Sequence, residues 1–214
     1  MIPVIQQHIK CKKIAVTGGI GSGKSKVMLL LKSLGYPTLD ADILSRLVMA
    51  NSDVQKQLRT TFGDEIFISD CEIDRSALGK IVFNNAEFKK KLEDIVHPAI
   101  AFEFSKKLNS LQENFPGAWL FYEAALILEA NRQADFDAVI LISANEALRF
   151  NRLLKNRGMS FENAQQVMQS QMSDAEKRHL SDFEIDNSGN ENSLFVKVEQ
   201  LVEQLRDKFS SSNS

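Results

Sequence analysis

One segment near the start of the chain combines glycines, a lysine and a serine at a spacing suited to phosphate chemistry. Gly18–Ser25 reads GGIGSGKS and fits the pattern G-x-x-x-x-G-K-[ST] of a phosphate-binding loop, or P-loop. Glycines let the backbone curl so that several N–H groups point at one phosphate, and the following helix N-terminus adds positive partial charge. Lys24 would supply a mobile cation for the β- and γ-phosphates, and the Ser25 hydroxyl would bind Mg²⁺. The predicted nucleotide contacts also include Gly19, Gly21, Ser22, Gly23 and Lys26.

Two aspartates follow the second predicted strand. Asp40 and Asp42 would lie near the phosphates, because ligands of a parallel sheet bind at the carboxyl ends of its strands. There they could position an acceptor hydroxyl and take its proton. Asp42 could equally be a helix N-cap, since aspartate is among the preferred capping residues.

Further carboxylates follow a later strand. Glu123 ends the segment AWLFYE and could hold Mg²⁺ through water, as a Walker-B carboxylate does. Taken alone, a surface acid at a strand end is the simpler interpretation. Glu129 lies six residues further on, and the sequence assigns it no place.

A basic cluster follows the segment DAVILIS. Arg149 and Arg152 are three residues apart and share a helix face, with Lys155 and Arg157 close behind. Such arginines could close over a triphosphate and stabilise transferred charge, or they could form a solvated helix face. His97-Pro98 interrupts a helical pattern, which predicts a helix boundary and, for the histidine alone, a structural role.

The elements that must position these residues alternate between strands and helices, which predicts an α/β fold with a parallel sheet covered on both sides. Strands are predicted at 12–17, 36–39, 118–123, 137–143 and 183–185. Helices are predicted at 24–34 and 193–209, with a polar helical stretch at 146–180.

The region 42–111 reads as almost wholly helical, which is long for one crossover between parallel strands. We therefore expect one P-loop domain of three parts. The nucleotide-binding core would comprise residues 12–41, 113–148 and 181–209, a helical insertion 42–112, and a helical lid 149–180.

Composition narrows the class of protein. The net charge of −2 gives no basic field for a nucleic-acid partner, and no apolar run approaches the length of a membrane span. Cys11 and Cys71 fit neither a zinc site nor a disulfide framework. We expect a cytoplasmic protein without an obligate protein partner, with a short N-terminal extension and a disordered SSSNS tail.

An ordered set of short motifs runs from about Ile14 to Gly189. They are AVTGGIGSGKS, LDADIL, the pair Phe62-Gly63, DRSAL from Asp74, VHPAI from Val96, LILE from Leu126, Arg152 with Arg157, and IDNSG from Ile185. In these motifs and their order, the chain resembles dephospho-CoA kinases. The P-loop is generic, whereas the set of DAD, DR, HP and IDN is far more specific.

This resemblance implies transfer of the γ-phosphoryl group of ATP, with Mg²⁺, to the ribose 3′-hydroxyl of dephospho-CoA. It implies that Asp42 is the base and that Lys24 and Arg152 stabilise the transferring phosphoryl group. By the same resemblance, the helical insertion 42–112 would bind the acceptor, Arg75 and His97 would lie in or near the acceptor site, and Asn187 would lie near the adenine. We also assign Asp40 and Glu123 to the acceptor site and Arg149 to the nucleotide site.

Four positions depart from the family pattern. Lys26 replaces a threonine, Cys71 a glycine, Ala125 the proline of PLLxE, and Arg149 a common glutamine. They bear on loop shape and efficiency more than on the type of reaction.

Two other classes share the P-loop. A nucleoside or nucleotide kinase would have the same core and a lid. A switch GTPase would carry a guanine-specific N-K-x-D sequence, which does not occur after the P-loop.

Overall fold

The computed structural model describes residues 10–83 and 85–211, and it confirms the predicted alternation of strands and helices. The strands are β1 Lys12–Thr17, β2 Thr38–Asp40, β3 Phe67–Ser69, β4 Glu72–Ile73, β5 Trp119–Glu123, β6 Ala138–Ser143 and β7 Phe183–Asp186. The helices are α1 Lys24–Ser33, α2 Ala41–Met49, α3 Ser52–Phe62, α4 Arg75–Phe83, α5 Ala86–Asn114, α6 Glu146–Arg157, α7 Phe161–Gln169, α8 Asp174–His179 and α9 Glu191–Ser211.

The chain divides into two compact units. The first, here called the sheet unit, contains Leu39 and the described residues before it, together with those from Pro116 onwards. The second, the helical unit, is Asp40–Phe115. Assignment of the acceptor to residues 42–112, and of a lid to 149–180, stays a prediction.

Five strands of the described residues form one sheet in the order β2-β5-β1-β6-β7. β1 lies in the middle and runs parallel to both β5 and β6, and β6 runs parallel to β7. All six residues of β6 are buried, as its near-continuous apolar sequence predicts for a strand covered on both faces. The order brings the ends of β5, β6 and β7 around the loop that follows β1.

Alternating residues of β1 enter two different apolar clusters, because successive side chains of a strand point to opposite faces. Ile14 and Val16 pack in a cluster with residues of α1 and α9, including Leu31 and Leu201. Ala15 packs on the other face, against the segment between β5 and β6. The sheet is therefore fixed from both sides, which fixes the position of the loop at its end.

The helical unit has its own core. α5 packs against α2, α3 and α4, and the cluster between them includes Leu58, Phe62 and Val96. These helices carry Asp42, Arg75 and His97, which the sequence predicts to act on the acceptor.

The expectation that 42–111 is almost wholly helical is wrong at one point. β3 and β4 form an antiparallel hairpin in which Phe67 pairs with Ile73. Both side chains pack on the core of the helical unit. A two-stranded ribbon of this length is not stable alone. Its packing on the core therefore explains why it forms here.

The predicted helix boundary at His97-Pro98 is also wrong, because α5 continues through Pro98. Proline removes one intrahelical hydrogen bond. Its neighbours Val96, Ala99 and Ile100 pack on the core and hold the helix together across that position.

Smaller differences concern the ends of elements. β2 begins at Thr38 rather than at residue 36, and β7 continues to Asp186. The polar stretch 146–180 is three helices rather than one region. Ser210 and Ser211 of the predicted disordered tail belong to α9, while residues 212–214 and the N-terminal extension 1–9 lie outside the described residues.

α1 provides a matched test of the sheet unit's core. Leu31 is fully buried, whereas Leu29 on the same helix is 67% exposed. We expect Leu31→Ala to lower the free energy of unfolding by about 2–5 kcal/mol and Leu29→Ala to change it by less than about 0.5 kcal/mol. Urea unfolding followed by the fluorescence of Trp119, which packs on the same cluster, measures both. Equal losses would contradict this assignment of the core.

Candidate active site

The predicted P-loop connects the end of β1 to the start of α1. Gly21 and Gly23 have φ values of 78° and 95°, a left-handed backbone that favours glycine. Gly23 is the N-cap of α1 and provides no side-chain hydrogen bond to the helix N-terminus. The first turn of α1 contains no acidic residue. This end of the helix is therefore suited to an external anion.

Lys24 folds back over its own loop. Its Nζ donates to the carbonyl oxygens of Gly18 at 2.8 Å and Gly19 at 3.3 Å. Burial, together with the nearby cations Lys177, Arg157 and Arg149, lowers the pKa of Lys24 to about 8. Glu123 opposes this effect. Lys24 is thus a partly desolvated cation among other cations, an environment that an anionic ligand would stabilise.

Ser25 and Glu123 meet beside the loop. The Ser25 hydroxyl donates to Glu123 Oε1 at 3.0 Å, and Glu123 ends β5 where that strand pairs with β1. A hydroxyl and a carboxylate are oxygen ligands of the type that Mg²⁺ prefers, with nucleotide phosphates supplying others. The two residues therefore fit a metal–nucleotide complex. Within the described residues, His, Cys, Asp and Glu side chains form no cluster of three or more that could hold a metal alone.

Arg149 lies against the middle of the loop. Its Nε donates to the carbonyl of Ile20 at 3.0 Å, and its Nη1 donates to Asp174 Oδ1 at 3.2 Å. Its side chain is only 9% exposed, so this ion pair is largely removed from water. A methyl group on Gly19 would lie 2.0 Å from the guanidinium, which shows how closely the arginine packs on the loop.

Arg152 and Asn187 hold the last part of the loop. Arg152 Nη1 donates to the carbonyls of Gly21 at 3.1 Å and Ser22 at 3.2 Å, and its Nη2 donates to the carbonyl of Asn187 at 3.0 Å. The buried Asn187 amide donates to the Ser22 carbonyl at 2.8 Å. These contacts bring the lid arginine of the sequence prediction together with the IDN motif.

Lys26 points away from the loop carbonyls and forms an ion pair with Glu191, the first residue of α9. This contact lowers the pKa of the Glu191 carboxyl. Both side chains are substantially exposed, so the pair contributes little stability. In this conformation Lys26 contacts Glu191, and its contact with a nucleotide stays a prediction.

In the helical unit, Asp40 and not Asp42 is the N-cap of α2. The Asp40 carboxylate accepts hydrogen bonds from the backbone N–H groups of Asp42 at 2.7 Å and Ile43 at 3.3 Å. The alternative that Asp42 is only a cap is therefore wrong. The Asp42 carboxylate lies exposed in the first turn of α2.

Arg75 is the first residue of α4, and Asp74 accepts hydrogen bonds from the next two backbone N–H groups of that helix. His97 lies on α5. Both side chains are exposed, as an acceptor-binding role requires. Their contacts with an acceptor stay a prediction.

Sequence reasoning missed the segment between α7 and α8. Gln171 Oε1 accepts a hydrogen bond from the backbone N–H of Ile20 at 2.8 Å, and Asp174 holds Arg149. One signal was available, because Ser173 and Glu176 form a capping box that marks the start of α8. No local pattern indicates that Gln171 would reach the loop, which lies 151 residues earlier in the chain.

The sheet order and the loop together define a P-loop nucleotide-binding protein. A model of the dephospho-CoA kinase family matches residues 12–193, and the chain belongs to that family. Dephospho-CoA kinase of Staphylococcus haemolyticus is 34% identical to it, over 89% of this chain and 94% of the relative.

Solved structures agree with this assignment. A protein from Thermus thermophilus superposes with a TM-score of 0.81 at 30% identity, covering 92% of this chain and 98% of its own. Dephospho-CoA kinase from Campylobacter jejuni superposes with a TM-score of 0.60 at 26% identity, covering 90% and 96%.

Two glycines offer a test of the loop geometry. Gly23 and Gly35 have similar φ values of 95° and 88°, so alanine strains both backbones alike. A Cβ at Gly23 would lie 2.2 Å from Asn187 Nδ2, whereas one at Gly35 meets nothing within 4 Å. We expect Gly23→Ala to weaken ATP binding by about tenfold or more, the cost of one or two hydrogen bonds, and Gly35→Ala to leave it unchanged. Calorimetric titration with Mg-ATP measures the affinity of both variants. Equal affinities would show that the contact of Asn187 with the loop does not contribute to ATP binding.

Proposed function

We propose that this protein transfers the γ-phosphoryl group of ATP to the ribose 3′-hydroxyl of dephospho-CoA, forming coenzyme A and ADP. The observation that carries the proposal is the phosphate-binding loop, with its lysine, its serine–carboxylate pair and its two arginines, in a chain of this family. We assign the reaction to the cytoplasm on the basis of the family. Among the described helices, none is long and apolar enough to cross a membrane.

The loop would bind the nucleotide through its backbone N–H groups and the N-terminus of α1. The Lys24 ammonium now donates hydrogen bonds to the carbonyls of Gly18 and Gly19. When the nucleotide binds, the ammonium would donate to phosphate oxygens instead. Its charge would then stabilise the phosphoryl group as negative charge redistributes in the transition state.

Ser25 and Glu123 would hold Mg²⁺ beside the nucleotide. The metal ion, when bound, neutralises phosphate charge. The Glu123 carboxylate already accepts a hydrogen bond from the Ser25 hydroxyl, so it is oriented toward this position before a metal ion binds. These two residues would form an oxygen-rich side of the site, apart from the arginines.

Arg152 would act from the other side of the loop. Its guanidinium binds the carbonyls of Gly21 and Ser22, which fixes these peptides and brings a positive charge to the loop that would hold the phosphates. Arg149 acts similarly on Ile20. Both roles are electrostatic, the usual source of catalysis in phosphoryl transfer.

In the chemical step, the 3′-hydroxyl oxygen would form a bond to the γ-phosphorus as the bond from that phosphorus to the β,γ-bridging oxygen breaks. ADP takes the bonding electron pair, and the hydroxyl proton passes to Asp42. Because Asp40 alone caps α2, the Asp42 carboxylate is not needed for the cap. Arg75 and His97 would bind the acceptor.

The identity of the acceptor is tested by ADP formation with purified protein and Mg-ATP. We expect ADP formation that depends on dephospho-CoA, with little above background for adenosine or AMP. The product should carry its new phosphate at the ribose 3′ position, as phosphorus NMR can establish. Preference for adenosine or AMP would replace this proposal with a nucleoside or nucleotide kinase, and hydrolysis without any acceptor would indicate an ATPase.

Asp42→Asn tests the proposed base. We expect a loss in kcat of about 10²–10⁴-fold with near-normal ATP affinity, because asparagine keeps the shape but not the basicity. Asp53→Asn is the matched control. Asp53 follows the N-cap Asn51 of α3 as Asp42 follows Asp40, and its side chain is 78% exposed.

The two variants are compared by kcat, by ATP affinity and by thermal stability. Equal and small changes in kcat would reject Asp42 as the base, whatever the stability measurements show.

A further inference from the structure

Lys177 is a charged residue to which the proposed reaction assigns no role. It lies in α8 and is 0% exposed, which is unusual for a lysine. A buried ammonium needs a close counter-charge, because desolvation strongly disfavours the charged form. Its position therefore requires a physical explanation.

The counter-charge is Glu129, the acid of the LILE motif that the sequence leaves without a place. Lys177 Nζ lies 2.8 Å from Glu129 Oε1 in an ion pair without an aligned hydrogen bond. The same carboxylate oxygen accepts the backbone N–H of Met172 at 3.2 Å. Glu129 thus joins both ends of the segment 172–177 to the connection between β5 and β6.

The segment anchored in this way contacts the phosphate-binding loop. Gln171, next to Met172, accepts the Ile20 N–H. Asp174 pairs with Arg149, which donates to the Ile20 carbonyl. Both sides of Ile20 are therefore held by residues whose positions depend on where residues 171–174 lie.

Lys177 is also electrostatically close to the phosphate-binding lysine. Of the cations that lower the pKa of Lys24, it has the largest effect, ahead of Arg157 and Arg149. A lysine buried purely to fill space would be better replaced by an apolar residue of similar volume.

We propose that the Lys177–Glu129 ion pair is a positioning device for nucleotide binding, which anchors residues 171–174 so that they hold Ile20 of the phosphate-binding loop. The proposal gives neither residue a direct contact with the phosphates. The inference rests on the proposed function only through ATP binding at the loop and makes no use of the acceptor.

The decisive variant is the double substitution Lys177→Met with Glu129→Gln. It removes both charges at similar volume, which is often neutral for stability, whereas either single change leaves a buried charge unpaired. The control is Arg178→Met with Glu184→Gln. It removes the exposed neighbouring ion pair of α8, whose members are 52% and 27% exposed.

We expect the Lys177/Glu129 double variant to fold and to bind Mg-ATP about three- to tenfold more weakly than the native protein, the cost of one hydrogen bond to the loop. In the nucleotide-free protein, hydrogen exchange at the Ile20 amide should become faster. The Arg178/Glu184 double variant should keep native ATP affinity and native exchange.

A second measurement separates positioning from general stability. Adding Gln171→Ala to the native protein should weaken ATP binding, but adding it to the Lys177/Glu129 double variant should cause little further loss, because both changes act through the same contact. If the double variant does not fold, Glu129→Asp provides the same comparison, because it keeps a counter-charge for Lys177 while shortening the side chain that reaches the Met172 N–H.

Additive losses would overturn the inference, as would native ATP affinity in a folded double variant. Failure of the native protein to bind ATP would instead overturn the proposed function. The two failures are therefore distinguishable.

Discussion

The site depends on a constraint within one short stretch of backbone. A loop that turns its N–H groups toward a phosphate must satisfy its carbonyl groups elsewhere, because buried unpaired carbonyls are costly. The carbonyls of Ile20, Gly21 and Ser22 are bound by Arg149, Arg152 and Asn187. The two arginines among these side chains also bring positive charge to the loop, so the groups that fix its shape contribute to its electrostatic field.

The strand order explains how residues so far apart in sequence reach this loop. β1 lies between β5 and β6, and β7 follows β6. The end of β5 therefore supplies Glu123 on one side, whereas the helix after β6 and the residue after β7 supply Arg152 and Asn187 on the other. This order of parallel strands therefore brings an acidic side chain to one side of the loop and a cationic side chain to the other.

The sequence predicts the parts of the site that depend on neighbouring residues, but not the contacts between residues that are distant in the chain. The loop is contiguous, so the sequence predicts it residue by residue. For Glu123 the sequence leaves open a role in holding Mg²⁺ or a place as a surface acid, and the structure adds its hydrogen bond with Ser25. Arg149 and Arg152 share a helix face, but their carbonyl partners depend on packing that no local pattern records. The β3–β4 hairpin and the passage of α5 through Pro98 likewise depend on the core of the helical unit.

Gathering several cations around one loop is electrostatically unfavourable before a ligand binds. Burial and the neighbouring cations lower the pKa of Lys24, and the chain offsets the remaining charge with Asp174 and Glu129, which pair with Arg149 and Lys177. These two acids pair with cations around the loop and not with the loop itself. The first turn of α1 contains no acidic residue. A bound triphosphate would relieve the repulsion that remains, so ligand binding and the stability of the sheet unit should rise together. The phosphate-binding loop thus keeps an excess of positive charge where the negatively charged phosphates of the proposed nucleotide would bind.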